Sequence, residues 1–365
     1  MTPVAIYVHV PFCPSKCGYC DFNSYVMDAD IRERTTQATV AEVLASPHSG
    51  RPAKTIFFGG GTPTQLEPFQ LKQILKAVTD THPPAAGIEV TSEANPGSVD
   101  AEKFQAMRLM GFNRISLGAQ SFQQGDLFRL GRVHEASDVA KAVLLARKAG
   151  FSNINLDLMF GLPGQSERGW RTNLEIATSL APDHLSLYGL TIEPETRFYR
   201  HHMRGTLELP DEESVVNMYD AAVDHCEKNG MRQYEISNFA KPGHECHHNL
   251  CYWRAEEYVG YGPGAVGRIG PVRYTNIKHP ARYAEAVETG ATLWCAHEEL
   301  NPRELEFERT MLGIRLNEGL IPGPQVSPET LFGLAAKGWA KCNDGQVALT
   351  RSGRHFCSAV ALELV

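Results

Sequence analysis

The 365-residue chain has no apolar run long enough to cross a bilayer, no basic segment leading into an apolar stretch and a small-residue cleavage site, and no long block of Lys or Arg. The first two absences argue against a membrane span and a secretory leader, so a cytoplasmic protein is expected. The third, with 42 acidic against 35 basic residues and a formal charge of −7, argues against an electrostatic platform for nucleic acid. No internal repeat beyond a strand–helix unit occurs, and no low-complexity segment. Cysteine is neither rare nor paired: there are nine, an odd number, and three of them crowd into CPSKCGYC at residues 13–20 with no fourth nearby. A chain of this length buries a large core without staples. The bunched cysteines therefore point to a reducing compartment and to a metal or redox role rather than a disulfide framework.

Along the first two-thirds, short β-branched runs alternate with amphipathic stretches. VAIYVHV (4–10), KTIFFGGG (54–61), IEVTSEANPG (88–97), NRISLGAQSF (113–122), NINLDLMFGLPG (153–164) and HLSLYGLTIEP (184–194) read as strands. Several of the intervening segments begin at Ser or Asp caps and several end at Gly, as helices do. Six strand–helix units predict a parallel sheet curved into a partial, TIM-like (βα)6 barrel, too short for the complete eightfold form. The chain is expected to divide into that barrel at 1–232, a Gly-, His- and aromatic-rich extension at 233–297, and a small winged-helix-like domain at 298–365. Chemistry on such a sheet gathers at the carboxyl ends of the strands. The run Gly59 to Thr62, Glu93, Gln120, Asp157 and the run Gly161 to Gly164 all fall there.

Three thiolates without a fourth suit a four-iron cubane that keeps one iron open for another ligand. A zinc site is the alternative, with His9 or Asp21 completing four ligands, but the spacing C-x3-C-x2-C is not that of a zinc knuckle. This spacing, with Tyr19 before the last cysteine and GGGTP (59–63) after the second strand, resembles the radical S-adenosylmethionine (SAM) superfamily. The resemblance implies a [4Fe–4S] cluster on Cys13, Cys17 and Cys20 and a SAM molecule held by its open iron. Tyr7, SEANPG with Glu93, LGAQSF with Gln120, LGRVH with Arg132 and NLDLMFGLPGQ with Asp157 extend the likeness to the coproporphyrinogen dehydrogenase (HemN-like) branch. By that likeness Tyr7, Tyr19, Gly60, Gly61, Thr62, Glu93, Gln120, Arg132 and Asp157 hold SAM. Carboxylates accepting ribose hydroxyls and an arginine facing a carboxylate make chemical sense of it.

Within that branch two features divide the options. Coproporphyrinogen dehydrogenases carry a further cysteine two positions after the third cluster cysteine, where this chain has Phe22. HNLCYW (248–253) resembles the HNxxYW motif of HemW-type haem chaperones. That resemblance implies haem as a third group, His248 as its iron ligand with adjacent His247 as the alternative, and Tyr252 and Trp253 as flat apolar faces. It implies haem-acceptor proteins as partners, respiratory and membrane-associated ones among them, with peripheral contact at the inner membrane, and it leaves a homodimer open. Oxygen-independent coproporphyrinogen III oxidation is the alternative function, and a radical SAM enzyme with an unrelated substrate a third. Within HECHHNLCYW a zinc site or an unliganded loop also remains open. The glycine-rich YVGYGPGAVGRIG (258–270) lacks the residues of a phosphate loop. Cys226, Cys295, Cys342 and Cys357 are expected to be small core hydrophobes.

Overall fold

The structure, a computed structural model, describes residues 2–343 and 345–365. The strands are β1 (Val4–Val10), β2 (Ala53–Gly60), β3 (Pro84–Ala94), β4 (Arg114–Gln120), β5 (Asn153–Phe160), β6 (His184–Gly189), β7 (Arg232–Gln233), β8 (Asn238–Ala240), β9 (Tyr258–Tyr261), β10 (Val266–Ile269), β11 (Val272–Asn276), β12 (Trp294–Glu299), β13 (Ala340–Asn343) and β14 (Gln346–Leu349). Strands β1 to β6 pair in sequence order, each parallel to the next. That is the partial barrel expected from the alternation. Parallel neighbours need crossover connections, and helices such as Pro68–Thr81, Ala136–Lys148 and Glu167–Ser179 supply them. Asp28, Asp100, Ser166 and Asp211 cap their helices with side-chain oxygens. Gly111 and Gly131 end theirs in the left-handed region.

Alternation along each strand sorts the residues into two faces. One face sends Ile6, Val8, Ile56, Phe58, Val90, Ile115, Leu117, Ile154, Leu156 and Leu185 into the main core under the helices, with fully buried Trp170 among them. The other face is polar. Thr55, Glu89, Thr91, Glu93, Arg114, Ser116, Asn155, Asp157, His184 and Ser186 occupy alternate positions of β2 to β6. Strands buried on both sides usually read as continuous apolar runs, so a polar inner face marks an interior built to meet a ligand or another polar element. It is internally bonded. Asn155 Nδ2, with two hydrogens to give, lies within hydrogen-bond distance of Ser116 Oγ (2.7 Å), Asp157 Oδ1 (2.7 Å) and Ser186 Oγ (2.9 Å), and His184 Nδ1 donates to Asn155 Oδ1 (2.6 Å).

Residues 233–297 extend both edges of this sheet. Strand β8 pairs antiparallel with β6, and β9 pairs parallel with β1 on the opposite edge. Strands β10, β11 and β12 then continue as an antiparallel meander. Between them lies a short helix, His247–Trp253, in a stretch without helical apolar periodicity. The tail runs helix (Pro302–Gly313), helix (Pro328–Ala336), hairpin (β13–β14) and two short helices, around its own core of Ile314, Leu334, Val347, Val360 and Leu364. Arg254 pairs with Glu318 at 3.0 Å, and the Arg315 guanidinium lies 5.4 Å from the Trp253 ring centre, so the short helix touches this tail. Among the described residues no helix is long and apolar enough to cross a membrane.

Candidate functional site

The loop after β1 carries the three cysteines and is pinned at several points. Cys13 N–H donates to Tyr25 O (3.0 Å), Gly18 N–H to Leu130 O (3.0 Å), and Phe198 N–H to Gly18 O (2.9 Å). Lys16 Nζ reaches Phe22 O at 2.6 Å. Beside it, the glycine run after β2 is tied to the end of β1: Gly61 N–H donates to Val10 O (2.8 Å) and Thr62 N–H to Phe12 O (2.7 Å). A Cβ on Gly61 would lie 2.7 Å from the Phe12 carbonyl oxygen, and one on Gly60 would meet the His9 ring at 2.5 Å. Gly60 also has φ +107°, which side chains resist. Gly61 is required by the approach of the chain at Phe12, where the cysteine loop begins, and Gly60 by the His9 ring of β1.

Together the two segments wall a cavity of about 320 Å³ over the carboxyl ends of the strands. Of the residues expected there, Cys13, Cys17, Cys20, Tyr19, Gly60, Gly61, Thr62, Glu93, Gln120, Arg132 and Asp157 line it. Ser116, Met159, Tyr188 and Glu193 line it as well and escaped the sequence reading. Tyr188 follows the last apolar residue of β6 on the polar inner face, a period-2 signal that could have found it.

The cavity is chemically polarised. The Arg132 guanidinium donates through Nη2 to Gly118 O (2.9 Å) and lies 3.8 Å from Cys17 Sγ through Nη1. Among the described residues its buried Nε has no partner. A buried donor without a partner is costly unless a ligand satisfies it. Cys13 Sγ lies 3.6 Å from Thr62 Oγ1. Burial pushes the Cys13 and Cys20 thiols up, which iron ligation would reverse. Gln120 is one of few non-glycine residues with a positive φ, +63°. Strain of this kind collects at ligand sites. Among the described residues no three His, Cys, Asp or Glu side chains converge on a single ion position. A cubane instead presents separate irons to separate thiolates. Three thiols facing one cavity, an unpartnered guanidinium nitrogen beside them and a side-chain-free glycine wall fit a cluster with a charged organic ligand.

Glu93 accepts from Gly60 N–H at 3.2 Å, and burial, then the nearby Asp157 charge, pushes its carboxyl up to about 8. Burial raises Asp157 too, against the donors Ser186, Ser116 and Asn155. A carboxyl raised above its unfolded value binds its proton more tightly when folded. Its contribution to stability is complete below about pH 4.5 and is lost as the pH climbs through about 8. Glu93 on its own therefore contributes a fall in the stability of the cofactor-free protein across that window, whatever slope the other groups add. Glu93→Gln should flatten the slope, each proton accounting for up to about 1.4 kcal/mol per pH unit. Urea unfolding at several pH values measures this, and an unchanged slope would show that Glu93 is ionised in the folded state.

Two expected site residues lie elsewhere. Tyr7 lines a second cavity, of about 680 Å³, which shares Gly60, Glu93 and Phe22 with the first. Its hydroxyl donates to His9 Nδ1 (3.0 Å), whose Nε2 donates to Asn23 O (2.8 Å). His248 lines neither cavity. Its helix is folded inside the barrel, where Glu89 accepts from the backbone N–H groups of His247 (3.0 Å) and His248 (3.1 Å). The imidazole is 1% exposed and stacks on Phe57 at 5.0 Å. Nδ1 is hydrogen-bonded to Thr55 Oγ1 (2.8 Å) and Nε2 to the Tyr252 hydroxyl (3.0 Å). Burial, then the Arg114 charge, pushes its pKa down to about 3, so the ring is neutral. The expected open imidazole is thus a closed one, because polar partners on β2 and within its own helix occupy both nitrogens. Burial pushes the Cys246 and Cys251 thiols up to about 12, so both are protonated. Among the remaining cysteines Cys226 is buried as expected, whereas Cys295 is exposed on β12, a strand with no buried residue.

The Radical SAM superfamily model matches residues 7–176. The heme chaperone HemW of Bacillus subtilis is 38% identical over 362 residues, covering 95% of each chain. That of Mycobacterium tuberculosis is 37% identical over 372 residues, covering 100% of this chain and 95% of the relative. That of Escherichia coli is 39% identical over 293 residues, covering 78% and 76%. Coproporphyrinogen III oxidase (HemN) from Escherichia coli superimposes with a TM-score of 0.85 at 21% identity, covering 100% of this chain and 90% of its own, which establishes a shared fold. The superfamily implies a [4Fe–4S] cluster and SAM. The chain belongs to the radical SAM superfamily and, within it, to the HemW family.

Proposed function

We propose that the protein carries haem and passes it to acceptor proteins, on a scaffold that holds a [4Fe–4S] cluster and SAM. Cys13, Cys17 and Cys20 hold the cluster. Tyr19, Gly60, Gly61, Thr62, Glu93, Gln120, Arg132 and Asp157 surround SAM. When bound, the cluster supplies an electron and an open iron for a ligand's amino and carboxylate groups. The chain's own residues then have separable tasks. The glycine wall gives backbone approach, Arg132 Nε finds its missing acceptor, and neutral Glu93 can donate or accept a ribose hydrogen bond.

The observation that carries the reading is the junction of the two cavities. The thiol-lined chamber shares Phe22, Gly60 and Glu93 with a larger aromatic one, and the HNLCYW helix supplies Tyr252 to the latter. A flat apolar cargo would there lie next to the cluster. Relatives named heme chaperone HemW, aligned over nearly the whole chain, support the same cargo. Phe22, 61% exposed at the shared rim, stands where the coproporphyrinogen reading wants cysteine. Acceptors include respiratory proteins, reached by peripheral contact with the inner membrane face. The barrel, the extension at 233–297 and the tail at 298–365 act as three functional parts.

Haem titration of the purified protein tests this. His248→Ala should weaken uptake by about 10–100-fold, the range seen when a residue orienting a metal site is lost. Undiminished uptake in that variant would remove the HNLCYW helix from the haem site.

A further inference from the structure

Resting on the haem-carrying function proposed above, we infer that the iron of the cargo is bound by the Tyr252 hydroxyl in the second cavity, with His248 behind it as a positioning residue. The cavity has about 680 Å³, within the range of sites for small organic ligands. Tyr7, Phe22, Tyr252 and Tyr258 give it aromatic walls, and Lys278 stands in its lining. The Tyr252 and Tyr258 rings meet edge to face at 4.7 Å and support one another in the wall. Lys278 has no carboxylate partner among the described residues and is exposed, so the lining offers a cation to an anionic group of the cargo.

The iron-binding atom follows from what faces this space. His248 is excluded by its burial and by hydrogen bonds at both ring nitrogens. His9, which does line the cavity, is likewise bonded at both, to Tyr7 and Asn23. Tyr252 differs. Its hydroxyl has one partner among the described residues, His248 Nε2 at 3.0 Å, which leaves a lone pair for a metal. Phenolate oxygen is an established haem ligand type. The chain Thr55–His248–Tyr252 has the form of a metal ligand oriented by a partner, itself oriented by a third group. As the oxygen–iron bond forms, the phenolic proton leaves to solvent and the ferric iron keeps its oxidation state.

The test uses the full-length protein, ferric haem, and resonance Raman and electron paramagnetic resonance spectra alongside haem titration. Wild type should give a high-spin, phenolate-ligated spectrum. Tyr252→Phe should lose that signature and more affinity than His248→Ala does. Tyr252→His, a ligating replacement, should restore binding with a nitrogen-ligated spectrum, which separates loss of a ligand from loss of fold. His248→Ala should bind more weakly yet keep the phenolate signature. An imidazole-ligated wild-type spectrum that survives Tyr252→Phe and vanishes in His248→Ala would overturn the inference. So would a thiolate spectrum abolished by Cys295→Ser, the cavity's exposed thiol. In both cases haem carriage itself would stand. No haem uptake by wild type would overturn that function and this inference together.

Discussion

Cys17→Ala is expected to yield a folded protein without its iron centre. After anaerobic reconstitution, iron should fall from about four atoms per chain to below one, with loss of the cluster's visible absorbance and reduced-state paramagnetism. The fold should persist because Cys17 is only half-buried, in a loop held by backbone bonds of Cys13 and Gly18 that the substitution leaves alone. Its one side-chain neighbour of note is Arg132 Nη1 at 3.8 Å. Unfolding free energy of the iron-free form should shift by no more than about 0.5 kcal/mol, as for ordinary partly exposed sites. The separation matters. A cysteine that served only the core would take stability with it, and one that serves the cluster takes metal with it. A variant retaining its full iron would remove Cys17 from the ligand set, and equimolar zinc in the parent would replace the cubane altogether.

Gly60→Ala should act in the opposite manner, on the fold and the ligand site at once. The new methyl would sit 2.5 Å from the His9 ring, and the backbone there holds φ +107°. The ring cannot swing aside freely, since Nδ1 is held by Tyr7 and Nε2 by Asn23. Overpacking of about 1–3 kcal/mol adds to the strain of an L-residue at positive φ, about 1 kcal/mol or more. We expect a loss of about 2–4 kcal/mol in urea unfolding. SAM affinity, read by calorimetry on the reconstituted protein, should drop as well, because Gly60 N–H anchors Glu93 and its backbone forms the cavity wall. Stability and affinity both unchanged would mean that the glycine run is only a turn.

Much of this architecture is legible in the residue pattern. Strands β1 to β6 are visible because short apolar runs, β-branched in β1 and β2, alternate with helical stretches, several of them capped by Asp or Ser, and local composition suffices for that. The cluster loop is visible because its spacing is a chemical requirement compressed into eight residues. What the pattern conceals is long-range. The His247–Trp253 helix has no apolar periodicity, since its burial rests on Thr55 and Glu89, more than 150 residues earlier in the chain. From HECHHNLCYW alone His248 reads as an open ligand. Only the placement of β2 and β3 beneath it shows a closed ring passing its hydrogen bond to Tyr252. Strand β12, WCAHEE, is exposed throughout, so no alternation marks it, and Cys295 could not be told from a core cysteine. Tyr7 is a different case. Its position in β1 is readable, but which of two adjoining cavities it faces depends on the strands β9 to β12 added beyond that edge.

The most direct test is the electron paramagnetic resonance spectrum of the anaerobically reconstituted, reduced protein, recorded with and without SAM. A [4Fe–4S] centre held by three cysteines with one iron left open would give a four-iron signal whose g-values move when SAM binds. A signal indifferent to saturating SAM, or a site filled by zinc with no signal at all, would contradict it.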